Sequence, residues 1–94
     1  MNNKIHVEGI NKGKIFIYTL STCIWCRKAK EFLNTNGIEY DYIEMDAEEL
    51  ENKEIHKEEL KNWNPKCSYP TIVIDDSDCI VGFDEDKLKK VLGL

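Results

Sequence analysis

The sequence predicts a single α/β domain with a four-stranded mixed sheet flanked by three helices. Three observations predict it. An apolar, β-branched run from Ile15 to Tyr18 leads through Cys23-Ile24-Trp25-Cys26 into a stretch where Ala29, Phe32 and Leu33 recur at helical spacing. A second alternating run, Ile38 to Met45, follows that helix, and two strands joined through a helix pair in parallel with a right-handed crossover. Late in the chain, Thr71 to Ile74 and Cys79 to Val81 flank a turn signal at Asp75 to Asp78, the pattern of an antiparallel hairpin. At 94 residues the chain supports one modest core and not two.

In chain order, residues 1–13 are polar and interrupted by Asn and Gly. Ile5 and Val7 alternate with polar residues, so this segment is an N-terminal arm or an extra edge strand, preceding the main domain at 14–94. Lys14 to Thr19 is the first strand. The helix after the cysteines runs to about Asn36, with Gly37 as its C-terminal cap. In the next strand, Ile38, Tyr40 and Tyr42 share one side and Ile43 and Met45 the other. Asp46 is placed to cap a helix over about 47–62, whose thin apolar stripe is Leu50, Ile55 and Leu60, with Trp63 just beyond. Pro65 ends that helix. Thr71 to Ile74 is apolar on both faces and so central in the sheet. Gly82 closes the hairpin, and Asp84 caps a last helix carrying Leu88, Val91 and Leu92.

The chemistry centres on the cysteine pair. Cys23 falls at a helix N-terminus, where backbone N–H groups lack intrahelical partners and the dipole favours an anion, here a thiolate. Arg27, Lys28 and Lys30 add positive charge to the same helix. Cys26, one turn further in, is within reach of a mixed disulfide formed on Cys23. The competing reading is half of a zinc site, but Cys67 and Cys79 do not form a second closely spaced pair, and His6 and His56 stand far apart and read as surface residues. No apolar N-terminal stretch resembles a signal peptide or a membrane span, which places the chain in the cytoplasm, where a Cys-x-x-Cys is catalytic or metal-binding. A net charge of −5 without a sustained basic run argues against nucleic acid as partner.

Taken together, Cys23-Ile24-Trp25-Cys26 after the first strand, Tyr69-Pro70-Thr71 opening the third, and Gly82-Phe83-Asp84 before the last helix resemble the glutaredoxin branch of the thioredoxin-like superfamily over residues 14–94. The resemblance implies that Pro70 is cis and faces the cysteines, that the Tyr69 backbone pairs with a bound peptide or glutathione, and that Asp84 and the Gly82 region bind the γ-glutamyl end of glutathione. Three departures stand out: Ile24 and Trp25 replace the usual Pro and Tyr or Phe, Leu20 replaces a lysine, and Val81-Gly82 replaces Gly-Gly. The losses at Leu20 and Val81 disfavour a small anionic tripeptide and favour a flavoprotein donor of the thioredoxin reductase type.

The function expected is a monomeric dithiol oxidoreductase that reduces protein disulfides or glutathione mixed disulfides. Cys23 attacks, Cys26 resolves, no cofactor is tightly bound, and glutathione or a flavoprotein reductase supplies electrons. Trp25 is expected at the rim of the site against a protein substrate. Cys67, three residues before Pro70, is a candidate auxiliary thiol, whereas Cys79 reads as a small hydrophobe. Two rivals are an iron–sulfur or zinc carrier ligated through Cys23, and an interaction domain whose cysteines are incidental.

Overall fold

The computed structural model describes residues 4–94, so the first three residues of the expected arm lie outside it. The elements are β1 (Ile5–Val7), β2 (Ile15–Thr19), α1 (Ile24–Thr35), β3 (Tyr40–Glu44), a 3₁₀ turn (Met45–Ala47), α2 (Leu50–Trp63), β4 (Thr71–Ile74), β5 (Asp78–Val81) and α3 (Glu85–Leu92). They form one sheet of five strands in the order β1-β3-β2-β4-β5. The fifth strand resolves the reading left open for the N-terminus: residues 5–7 form an edge strand antiparallel to β3, with His6 opposite Asp41. As expected, β2 and β3 are parallel and β4 and β5 form an antiparallel hairpin; β4 also pairs antiparallel with β2, which joins the two halves.

Gly9 holds this added edge close. A Cβ built there would lie 2.6 Å from the Gly37 carbonyl oxygen and 2.7 Å from the Ile38 carbonyl carbon. Beside it, Ile10 and residues 37–39 exchange backbone hydrogen bonds of 2.7 and 2.9 Å. Only glycine permits that approach.

Because the central strands are covered on both faces, their side chains divide between two clusters. Ile15, Ile17, Tyr40, Ile72 and Ile74 join Phe32, Leu33, Leu88 and Leu92 in the larger, beneath α1 and α3. Tyr18, Ile43, Met45 and Val73 join Leu60 of α2 in the smaller. The alternation expected within Ile38–Met45 is therefore observed, and so is a central β4.

The second helix departs from its expected pattern. Its buried residues are His56 and Leu60, while Leu50 and Ile55 are 72% and 55% exposed. His56, Leu60 and Trp63 recur at helical spacing, so they share the stripe that faces the sheet, and Ile55 falls outside it. His56, expected at the surface, is buried, its Nδ1 standing 3.3 Å from Oε1 of Glu48, whose side chain is wholly enclosed. The two groups face each other in the interior without a hydrogen bond between them. Asp46 does not cap α2, because the 3₁₀ turn delays the helix to Leu50, and Glu49 precedes it without a side-chain cap. In α3 the cap is as expected: Asp84 accepts the Lys87 N–H at 3.1 Å. Val91, however, lies on the outer face while Leu88 and Leu92 are buried.

The reassigned face of α2 is testable by urea unfolding. Leu60→Ala should lower stability by about 2–5 kcal/mol, whereas Ile55→Ala should stay within about 0.5 kcal/mol.

Candidate active site

Two strand ends and one loop build the site around Cys23. The first is the end of β2, where the chain turns through Leu20–Thr22 into α1. Cys23 caps that helix in extended conformation, its N–H bonded to the Leu20 carbonyl at 3.2 Å. Its Sγ accepts the backbone N–H of Cys26 at 3.2 Å. The sulfur thus occupies the position that a serine or aspartate oxygen takes in an ordinary N-cap.

The two cysteines differ sharply. Cys23 is half-buried and Cys26 fully enclosed, and both are free thiols. Burial, followed by the hydrogen bond with Cys23, pushes the Cys26 thiol up from the ordinary 9.0 to about 12. In the reduced protein at neutral pH, Cys26 is therefore a protonated thiol.

The residues between the cysteines face outward: Ile24 is 61% and Trp25 55% exposed. Lys28 stacks its ammonium over the Trp25 ring at 4.8 Å, fixing the indole at the rim. Lys30 lies over Tyr42, 4.4 Å from its centroid. These two lysines, expected only to add charge to the helix, are each also seated on a ring.

The end of β3 fastens the turn before Cys23. Asp46 accepts the Ser21 N–H at 2.9 Å and, through its second oxygen, the Ser21 hydroxyl. Those bonds hold the Asp46 carboxyl below the usual carboxylate range. Asp46 thus positions the cysteine turn, a role the sequence reading missed by assigning it to a helix cap. The available signal was that Ser21 and Asp46 follow the carboxyl ends of adjacent parallel strands, where such folds place their sites.

The third part is the loop before β4. Tyr69-Pro70 is a cis peptide bond, as expected from the resemblance. The Tyr69 carbonyl oxygen lies 3.9 Å from the Cys23 sulfur. Because β4 begins at Thr71, the Tyr69 backbone lies outside the sheet ladder. Buried Asn64 organises the loop, donating to the Ser68 hydroxyl at 2.9 Å and the Thr71 hydroxyl at 3.2 Å. Its carbonyl also accepts the Cys67 N–H at 2.8 Å.

Cys67 is half-buried, adopts a left-handed conformation with φ 50°, and packs with Leu20 and Tyr69 against the smaller core cluster. Cys79 lies elsewhere, on β5, its thiol directed at the Trp63 carbonyl at 3.7 Å and pushed up by burial. Gly82, with φ 82°, donates its N–H to the Pro70 carbonyl at 2.7 Å, which joins the start of the α3 loop to the cis-proline. Val81 beside it is 53% exposed.

Residues 15–79 match the family model for glutaredoxin. The chain belongs to the glutaredoxin family. A glutaredoxin-like 8.6 kDa protein in the rubredoxin operon of Clostridium pasteurianum is 33% identical over 78 residues, spanning 83% of this chain and 96% of that protein. Among solved structures, methanoredoxin of Methanosarcina acetivorans is 37% identical with a TM-score of 0.95, each chain covered in full. The glutaredoxin of Methanosarcina mazei is 40% identical with a TM-score of 0.90, over 99% of this chain and 90% of its own. The fold is therefore thioredoxin-like, and this glutaredoxin-family chain carries β1 as an additional edge. No helix among the described residues is long and apolar enough to cross a membrane.

The asymmetry of the cysteines can be read by mass spectrometry. Brief alkylation of the reduced, native protein near neutral pH should label Cys23 and leave Cys26 unmodified until the chain is unfolded. Alkaline stability follows from the same burial. A thiol raised to about 12 from 9.0 favours the folded state fully below pH 9 and loses that contribution as pH rises toward 12. Thermal melts should therefore fall above about pH 9, and less so for Cys26→Ala than for wild type.

Proposed function

We propose that this protein is a dithiol thiol-disulfide oxidoreductase that reduces disulfides of protein substrates, with Cys23 as nucleophile and Cys26 as resolving thiol. The observation that carries this reading is the unequal environment of the two sulfurs: one half-buried and capped by an N–H, the other enclosed and protonated.

The Cys23 thiolate attacks one sulfur of the substrate disulfide, forming a Cys23 mixed disulfide and releasing the other sulfur as a thiolate. That step also changes Cys26. Its thiol is held up partly by the hydrogen bond and charge of Cys23, and both disappear once Cys23 is bonded to substrate. Cys26 then gives up its proton more readily, attacks Cys23 and expels the second substrate thiolate. The product is a Cys23-Cys26 disulfide and a substrate dithiol, two electrons having moved. The two sulfurs hold both electrons, so no tightly bound cofactor is required.

The substrate surface is formed by the Tyr69 backbone beside Pro70 and by exposed Ile24 and Trp25. A rigid aromatic and a branched aliphatic at the rim suit an apolar peptide segment. Glutathione or a flavoprotein reductase would restore the dithiol. Leu20 packs into the core cluster and brings no charge to Cys23, and exposed Val81 stands beside Gly82 where the family resemblance has a second glycine; both favour the reductase. Asp84 and Gly82 are the residues through which glutathione would otherwise be held, and Cys67, which packs in the same cluster as Leu20 and Tyr69, is the candidate auxiliary thiol. We assign the protein to the cytoplasm as a monomer.

Turnover with a disulfide-linked protein substrate tests the reading. Cys23→Ser should abolish reduction, and Cys26→Ser should accumulate a mixed disulfide visible by intact mass; an active Cys23→Ser variant would overturn it. For the donor, Leu20→Lys with Val81→Gly should speed reduction by glutathione and leave reduction by a thioredoxin reductase-type flavoprotein nearly unchanged.

A further inference from the structure

The edge ribbon carries a second cluster of chemistry, remote from the cysteines. β1 and β3 pair antiparallel with His6 opposite Asp41, and Val7 and Tyr40 form the last pair. Alternation puts His6 and Glu8 on one side of the first segment, and Glu39 and Asp41 on the same side of the second. Three carboxylates thereby surround one imidazole. His6 Nδ1 is 2.6 Å from Asp41 Oδ1, while Nε2 lies 3.2 Å from Glu8 Oε1 and 3.9 Å from Glu39 Oε1. Among the described residues this is the group in which three metal-donor side chains converge, with donor atoms within 4.8 Å of one another.

We propose that His6 Nε2, Glu8 and Glu39 bind a divalent first-row cation such as Zn²⁺, Fe²⁺ or Mn²⁺, with Asp41 orienting the imidazole. The donor spacing fits. Ligands held at about 2.1 Å around a tetrahedral ion stand about 3.4 Å apart, and the two distances from Nε2 lie on either side of that. In the neutral imidazole, a carboxylate that accepts the Nδ1 proton leaves Nε2 with a free lone pair, the arrangement found behind metal-bound histidines, so cation and proton compete for Nε2. One imidazole and two carboxylates make a donor set of intermediate hardness, which suits these ions better than a thiophilic one. Glu8 and Glu39, adjacent across the ribbon, would repel each other, and a cation between them turns that repulsion into attraction. His6, Glu39 and Asp41 also line a cavity of about 190 Å³ with Asn11 and Lys14, while Glu8 stands outside it.

The competing arrangement is a protonated His6 alone among the carboxylates, with Lys4 sharing Asp41 at 3.4 Å. The two are separated by titrating the full chain with Mn²⁺, chosen because it discriminates against the thiols. In a ¹H–¹⁵N spectrum, line broadening should saturate and centre on the amides of His6, Glu8 and Glu39. His6→Gln should abolish the saturable phase, and Asp41→Asn should weaken binding about 10- to 100-fold. Zn²⁺ should raise the melting temperature of the oxidised, disulfide-bonded protein and not that of its His6→Gln counterpart, since a ligand of the folded state alone stabilises it. Broadening spread evenly over the acidic surface, or unchanged in both His6→Gln and Asp41→Asn, would overturn the proposal. Because β1 is an edge strand, both variants can be checked for native folding from the rest of the same spectrum.

Discussion

The site depends on one short hydrogen bond, from the backbone N–H of Cys26 to the sulfur of Cys23. It makes the sulfur the cap of α1, so the position of the sulfur proposed as nucleophile is set by where the helix begins. It also links the cysteines electrically, because charge and hydrogen bonding at Cys23 help to keep Cys26 protonated. In the proposed reaction the same contact accounts for the order of events: converting Cys23 to a mixed disulfide would remove its share of what holds the Cys26 thiol up, while burial remains.

The rest of the structure holds that helix start in place. Thr19, at the end of β2, donates its hydroxyl to the Ile43 carbonyl at 2.6 Å, and two residues later Ser21 is bound by Asp46. These contacts tie the cysteine turn to the end of β3. On the other side, the Asn64 side chain and the Gly82-to-Pro70 bond fix the loop that brings Tyr69 against Cys23. Burial on both faces of β2 and β4 keeps the strand ends in register, since a slip by one residue would exchange the two core clusters.

Most of this could be read from the chain because the relevant patterns were local. The apolar run into Cys23, the alternation in 38–45 and the hairpin at 71–81 each specify an element within about ten residues. Asp84 could be placed as a cap for the same reason. What escaped reading was non-local. The inner stripe of α2 begins with a polar residue, His56, whose burial against Glu48, eight positions away, no apolar period signals. Asp46 was assigned to the nearest helix because its actual partner, Ser21, is 25 positions away. β1 is three residues long, and its pairing with β3 rests on a close approach at Gly9 that no sequence period records.

The central claim is a division of labour between two sulfurs, and an NMR titration of the reduced protein with ¹³Cβ-labelled cysteine reads it directly. Cys26 should remain a thiol through the neutral and mildly alkaline range. In a protein carrying a stable mixed disulfide on Cys23, Cys26 should ionise at lower pH than in the free dithiol. If Cys26 ionises in the neutral range, or if its titration is indifferent to the state of Cys23, the roles assigned here are wrong.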